Sequence, residues 1–186
     1  MAKIGFIGTG VMGAAMAGHL LDAGNELFVY NRTKAKTDSL VARGATYCAT
    51  PQEIAEVTDI VFSIVGYPKD VREIYFGEKG VFKADVQGAF LVDMTTSEPA
   101  LAQEIYQAAK EAGASALDAP VSGGDIGAQN ASLTIMVGGE EEAYEHLLPY
   151  FETIGKTITR QGAAGAGQHT KMANQIAIAG TMTAMT

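Results

Sequence analysis

Residues 3–13, Lys3-Ile4-Gly5-Phe6-Ile7-Gly8-Thr9-Gly10-Val11-Met12-Gly13, constrain the fold more than any other stretch. A short apolar run leads straight into Gly-x-Gly-x-x-Gly. The small, apolar residues from Ala14 to Leu21 follow, as in a helix packed on a sheet. The pattern predicts a buried strand, a tight turn and a helix N-terminus. Gly8 lets the chain turn, Gly10 leaves room for a pyrophosphate, and Gly13 lets the helix approach the strand. Free amides and the positive end of the helix dipole would then face phosphates. Gly8, Thr9, Gly10, Val11, Met12 and Gly13 are the candidate cradle. The same glycines without a ligand would be a bare turn, and it is the strand and helix flanks that favour a dinucleotide.

The chain has 186 residues, enough for one domain with a sizeable core, or one domain plus a fragment. The net charge of −8 and the lack of a basic cluster argue against a nucleic-acid partner. Cys48 is the only cysteine, so no internal disulfide can form, and it is expected as a small core residue in a reducing compartment. The chain enters a strand at once, which leaves no room for a signal peptide, and no apolar run would span a bilayer. A cytoplasmic protein is expected. His19, His146 and His169 lie far apart without ligand-spaced neighbours, so no metal is expected.

Further along, Leu27–Tyr30 reads as a second, parallel strand after a helix stop at Ala23-Gly24-Asn25. It ends in Asn31-Arg32-Thr33, where a dinucleotide site meets the adenosine ribose. An acid there would suit NAD; an amide, a guanidinium and a hydroxyl suit a 2′-phosphate. NADP(H) is therefore favoured, with NAD(H) possible. The plainer alternative is a solvated turn, with Thr33 capping a helix over 34–43.

Thr50-Pro51 opens a short helix through Val57. Residues 59–65 form a continuous apolar strand, ending at Val65-Gly66-Tyr67-Pro68 on the carboxyl edge of the sheet, where open α/β sheets bind ligands. A helix over 69–75 and a strand over 90–94 follow. Thr96 lies at the same carboxyl edge, within reach of the cofactor; the plainer alternative is that Thr95 and Thr96 only satisfy loop amides, and Ser97 is placed to cap a helix from near Pro99 to Ala112. A strand from Ala116 runs into Ser122-Gly123-Gly124, whose amides and hydroxyl fit a carboxylate. A polar loop is expected over 125–130, a strand over 133–139, a helix over 140–151 that Pro149 breaks or kinks, and a short strand over 156–160.

The last segment reads as a glycine-rich lead-in to a long helix without a stop signal. Lys171, Asn174 and Gln175 share one face of it. A lone lysine on an uncharged helix would be partly desolvated, which lowers its proton affinity towards what proton transfer needs. Spacing alone fits a snorkelling surface lysine equally well. The uncapped apolar helix is expected to be covered, by a further helical portion or by another chain.

Four blocks taken together resemble the β-hydroxyacid dehydrogenases, the family of 3-hydroxyisobutyrate dehydrogenase and tartronate semialdehyde reductase (2-hydroxy-3-oxopropionate reductase). They are residues 4–13, Asp93-Met94-Thr95-Thr96, Asp118-Ala119-Pro120-Val121-Ser122-Gly123-Gly124, and residues 165–175, and they run through essentially the whole chain. Lys-Met-Ala-Asn-Gln at 171–175 is most similar to the tartronate semialdehyde reductase side.

The resemblance implies a Rossmann-type, doubly wound, mostly parallel sheet over 1–164. Residues 165–186 would begin an interdomain helix, with the family's helical C-terminal domain absent. It implies hydride transfer between NADP(H) or NAD(H) and a small 3-hydroxy acid or semialdehyde, in a homo-oligomer when full length. Gly8, Gly10, Val11, Met12 and Gly13 would hold the pyrophosphate, and Asn31, Arg32 and Thr33 the 2′-phosphate. Val65, Gly66 and Thr96 would line the nicotinamide side. Ser122, Gly123 and Gly124 would bind the substrate carboxylate, Lys171 would be the catalytic lysine, and Asn174 or Gln175 would orient substrate. The chain departs from the family at Val65-Gly66, often Leu-Pro, and at Gln175, often Asn. The alternatives are a non-catalytic NADP-binding module, an imine reductase-like enzyme, and a 6-phosphogluconate dehydrogenase-like enzyme. Lys171 counts against the first two and the acidic Asp125 against the third.

Overall fold

The structure is a computed structural model and describes residues 1–185. In chain order its elements are β1 (Lys3–Ile7), α1 (Val11–Asp22), β2 (Glu26–Tyr30), α2 (Asp38–Val41), β3 (Thr46–Tyr47), α3 (Pro51–Val57), β4 (Ile60–Ser63), α4 (Pro68–Phe76), β5 (Phe90–Asp93), α5 (Pro99–Glu111), β6 (Ser115–Asp118), β7 (Val121–Ser122), α6 (Gly124–Gln129), β8 (Leu133–Gly138), α7 (Glu141–Glu152), β9 (Gly155–Gly162) and α8 (Ala166–Ala184).

One sheet runs β3-β2-β1-β4-β5-β6, all parallel. It continues through β8, which pairs antiparallel with β6 and β7 and parallel with β9. The central strands are buried on both faces, and their side chains alternate between two cores. Ile4, Phe6, Phe62 and Val92 pack with Met16 and Leu20 of α1 and Leu147 and Phe151 of α7. Ile7, Val61 and Leu91 pack with Ile54 of α3, Val71 and Ile74 of α4, and Leu101 and Ile105 of α5. Helices on both faces of a mostly parallel sheet make the doubly wound α/β fold that the pattern predicts. The winding reverses between β1 and β4, and that crevice is where such sheets bind ligands.

The helix over 51–57 forms as expected, with Thr50 Oγ1 accepting the Glu53 amide at 3.0 Å. Four local expectations are corrected. No continuous helix spans 34–43. A 3-10 turn over Lys34–Thr37 precedes α2, because Thr37 Oγ1 bonds back to the Lys34 carbonyl at 2.7 Å; Thr33 caps nothing with its side chain. Ser97 does not cap α5: Glu98 stands at the N-cap position, and the Ser97 amide is taken by Gln168. The polar stretch 125–130 is largely helix α6. Its composition hides the fully buried Ala128, which joins the α1 side of the core, and His19 Nε2 lies 3.0 Å from the Ala128 carbonyl. Finally, Pro149 does not break α7, which runs on through this exposed residue, so the carbonyl that loses its partner there can turn to water.

Among the described residues no helix is long and apolar enough to cross a membrane. Nor do three His, Cys, Asp or Glu side chains among them come together as metal ligands. Cys48 is buried and free.

Candidate active site

A cleft of about 860 Å³ opens outside the carboxyl ends of β1, β4 and β5. Of the residues expected at a site, all but Thr9 and Asn174 line it. Thr9 is buried beneath, where its amide donates to Asn31 Oδ1 at 3.1 Å. Asn174 stands one turn beyond Lys171, its amide nitrogen shielded and without a partner among the described residues.

The first wall is the turn from β1 into α1. Gly8 has φ +97, and a Cβ there would lie 2.0 Å from the Ile64 carbonyl oxygen. A Cβ on Gly13 would lie 1.9 Å from the Gly8 carbonyl oxygen. Both are glycine because backbone meets backbone. Gly10 differs. Its φ is −73, open to any residue, and nothing lies within 4 Å of where its Cβ would be. No protein contact calls for glycine at 10. Gly10 is also the N-cap of α1, and no side chain caps it. An open space at an uncapped helix N-terminus fits the pyrophosphate of a dinucleotide.

At the far end, Arg32 is 84% exposed and reaches Asp70 Oδ1 at 3.1 Å; the Asp70 side chain is only 16% exposed. Asn31 is occupied structurally, tying Thr9 to the Thr33 carbonyl. Lys36, Asp70 and Glu73 also line this end and were not foreseen. A fold contact between α4 and the end of β2, 38 residues apart, leaves no local signal.

The middle wall is the loops after β4 and β5. Thr95 satisfies a loop amide, and Thr96 is left open to the cleft. Thr95 Oγ1 accepts the Val65 amide at 3.0 Å, while Thr96 is exposed in the cleft wall. Under them, Asp93 is buried and accepts from Ser63 Oγ and the Thr95 amide, both at 3.1 Å. Burial pushes its carboxyl up to about 6, against those hydrogen bonds.

Lys171 closes the cleft from α8. It is 6% exposed, and its amine makes no ion pair or hydrogen bond among the described residues. Burial alone lowers its proton affinity below that of an ordinary lysine. It is therefore not a fully exposed surface lysine. The start of α8 is pinned by a signal the sequence does not show: Asp118 at the end of β6 accepts the amides of Gly165 at 2.7 Å and Gln168 at 2.9 Å. Opposite, Ser122, Gly123 and Gly124 bring a hydroxyl and the start of α6 into the same cleft.

Residues 3–162 match the family described as the NAD binding domain of 6-phosphogluconate dehydrogenase. An uncharacterized oxidoreductase of Bacillus subtilis is 55% identical over 179 residues, covering 96% of this chain and 62% of that protein. The 2-hydroxy-3-oxopropionate reductase of Escherichia coli is 43% identical over 177 residues, covering 95% and 60%. Among solved structures, 3-hydroxyisobutyrate dehydrogenase of Mycobacterium tuberculosis, solved with L-serine, superposes with a TM-score of 0.91 at 32% identity, covering 96% of this chain and 60% of that one. A structure described as Psf3 in complex with NADP+ and 2-OPP gives 0.88 at 30% identity, covering 94% and 61%. The chain thus spans about three fifths of the length of these relatives. It belongs to the family of the NAD-binding domain of 6-phosphogluconate dehydrogenase, alongside relatives among the 3-hydroxyisobutyrate dehydrogenases and 2-hydroxy-3-oxopropionate reductases.

Proposed function

We propose that the full-length protein is an NAD(P)-dependent dehydrogenase of small 3-hydroxy acids and their semialdehydes, with NADP(H) favoured. The observation that carries this is the buried, unpaired Lys171 in the same cleft as the dinucleotide turn and the Ser122-Gly123-Gly124 loop. When bound, the nicotinamide supplies or accepts the hydride. The chain supplies position and a proton. The free amides of α1 hold the pyrophosphate, and Ser122 with the glycine amides holds a substrate carboxylate. In reduction, Lys171 gives a proton to the developing alkoxide oxygen; in oxidation, the neutral amine takes it from the hydroxyl. An amine of lowered proton affinity suits both directions near neutral pH. Gln175, which lines the cleft one turn beyond Lys171, orients the substrate. A non-catalytic module has no use for a desolvated lysine at this place, which carries a standing energetic cost.

Arg32 and Lys36, which line the same end of the cleft, support the choice of NADP(H), since an exposed guanidinium suits a 2′-phosphate. The division into a binding unit over 1–164 and an interdomain helix from 165, a cytoplasmic location and a homo-oligomer belong to the same proposal.

The test is a panel of 3-hydroxy acids and semialdehydes run on the full-length protein with NADPH and NADH. Turnover with at least one, tighter binding of NADPH, and a loss of about 10²–10⁴ in turnover for Lys171→Ala with cofactor binding kept are expected. Turnover near wild type in Lys171→Ala overturns the lysine's role, and tighter NADH binding overturns the cofactor preference.

A further inference from the structure

We infer that Gln168 is a positioning residue that locks the lysine-bearing helix to the cofactor loop. This rests on the proposed role of Lys171. Gln168 is 1% exposed and stands three residues before Lys171, one turn up α8. Both ends of its amide are used, and both go to the loop after β5. Oε1 accepts the Ser97 amide at 2.9 Å, and Nε2 donates to the Thr95 carbonyl at 2.7 Å. That loop is the cleft's middle wall: Thr95 and Thr96 line it, and Thr95 Oγ1 takes the Val65 amide of the neighbouring loop. A single side chain thus joins α8 to the wall formed by the loops after β4 and β5.

The rest of the helix start is held from a different direction. Asp118 fixes the amides of Gly165 and Gln168, and a Cβ on Gly167 would lie 2.3 Å from the Met136 carbonyl oxygen, so the helix sits directly on β8. Those contacts set its distance from the sheet. Rotation about its own axis is set by a side-chain clamp, and Gln168 is the buried polar side chain available for that. Rotation decides whether the Lys171 amine points into the cleft. A planar amide with two opposed bonds resists it as a hydrophobic contact would not. A glutamine also carries no charge, so it holds the helix without adding a field that would retain a proton on Lys171; burial alone acts on that amine.

The experiment uses Gln168→Ala and Gln168→Glu in the full-length protein, with Gln168→Glu retaining the acceptor for Ser97 and losing the donor to Thr95. Two readings are taken: steady-state turnover against pH, and the titration of the Lys171 amine itself, followed by NMR after reductive ¹³C-methylation and assigned by its absence in Lys171→Arg. We expect kcat to fall roughly 10- to 100-fold in Gln168→Ala, with cofactor affinity little changed. The Lys171 titration should move up towards the ordinary lysine range as the amine gains water. Thermal melts identify the temperature range in which each variant is folded, and readings are taken there. If the amine titrates as in wild type in both folded variants, the inference is overturned, whatever the turnover does. If the amine titration moves while turnover does not, the clamp stands and it is the catalytic reading of Lys171 that fails.

Discussion

At Gly8 the backbone turns through φ +97 against the Ile64 carbonyl, and at Gly10 it takes an ordinary conformation beside empty space. The two positions therefore predict opposite phenotypes. Gly8→Ala should destabilise the fold by about 2 kcal/mol or more, through strain and collision. Gly10→Ala should leave stability within about 0.5 kcal/mol of wild type, yet weaken dinucleotide binding about tenfold or more, since its methyl occupies the pyrophosphate's place. Thermal melts and fluorescence titration with NADPH measure the two. Equal damage to stability would mean that Gly10 serves the turn alone. The motif was legible because its chemistry is local: strand, turn and helix start lie within eleven residues. Arg32 was legible as a cation at the end of β2, but its partner Asp70 was not, since only the packing of α4 beside β2 brings them together.

Elements meet most tightly under the middle wall, where β4, β5 and α4 contribute Ser63, Asp93 and Tyr75. Ser63 Oγ lies 3.1 Å from both the Tyr75 hydroxyl and Asp93 Oδ1. The Asp93 carboxyl is held up at about 6 by burial, above the ordinary carboxylate range. Between the two values the folded chain keeps a proton that the unfolded chain has released. Stability from this group is thus full below the unfolded value and is lost as pH rises through about 6, by an amount on the order of 3 kcal/mol. Asp93→Asn keeps the acceptor and removes the titration. Its melting temperature should gain on that of wild type between about pH 4 and pH 7, and parallel curves would show that Asp93 does not titrate there. The strands were readable because each is a continuous apolar run, buried on both faces. α6 was not, because four of its six residues are polar or glycine and its packing on α1 and β8 holds it. The Asp118 cap of α8 spans 47 residues and leaves no periodic trace.

On the scale of the molecule, one rigid sheet carries three walls of a cleft, and the last helix leads away from it. Sequence patterns revealed that plan because parallel α/β winding leaves little freedom in how strands and helices alternate. They did not reveal how α8 is clamped, which depends on which loops happen to meet. Relatives extend well beyond the length matched here. We expect residues 1–186 alone to bind NADPH but to turn over at least about 100-fold more slowly than the full-length protein, because water reaches the reacting groups. Stopped-flow assays on both forms decide this, and equal rates would show that the cleft is complete as it stands. From Met172 to Met185 α8 carries no charged side chain, and Met172, Ile176, Ile178, Met182 and Met185 are exposed. Such a surface has no charge to titrate and no ion atmosphere to screen. Self-association of residues 1–186 through it would be indifferent to pH, would strengthen in sulfate and would loosen on cooling, so a cold-room preparation would be the best behaved.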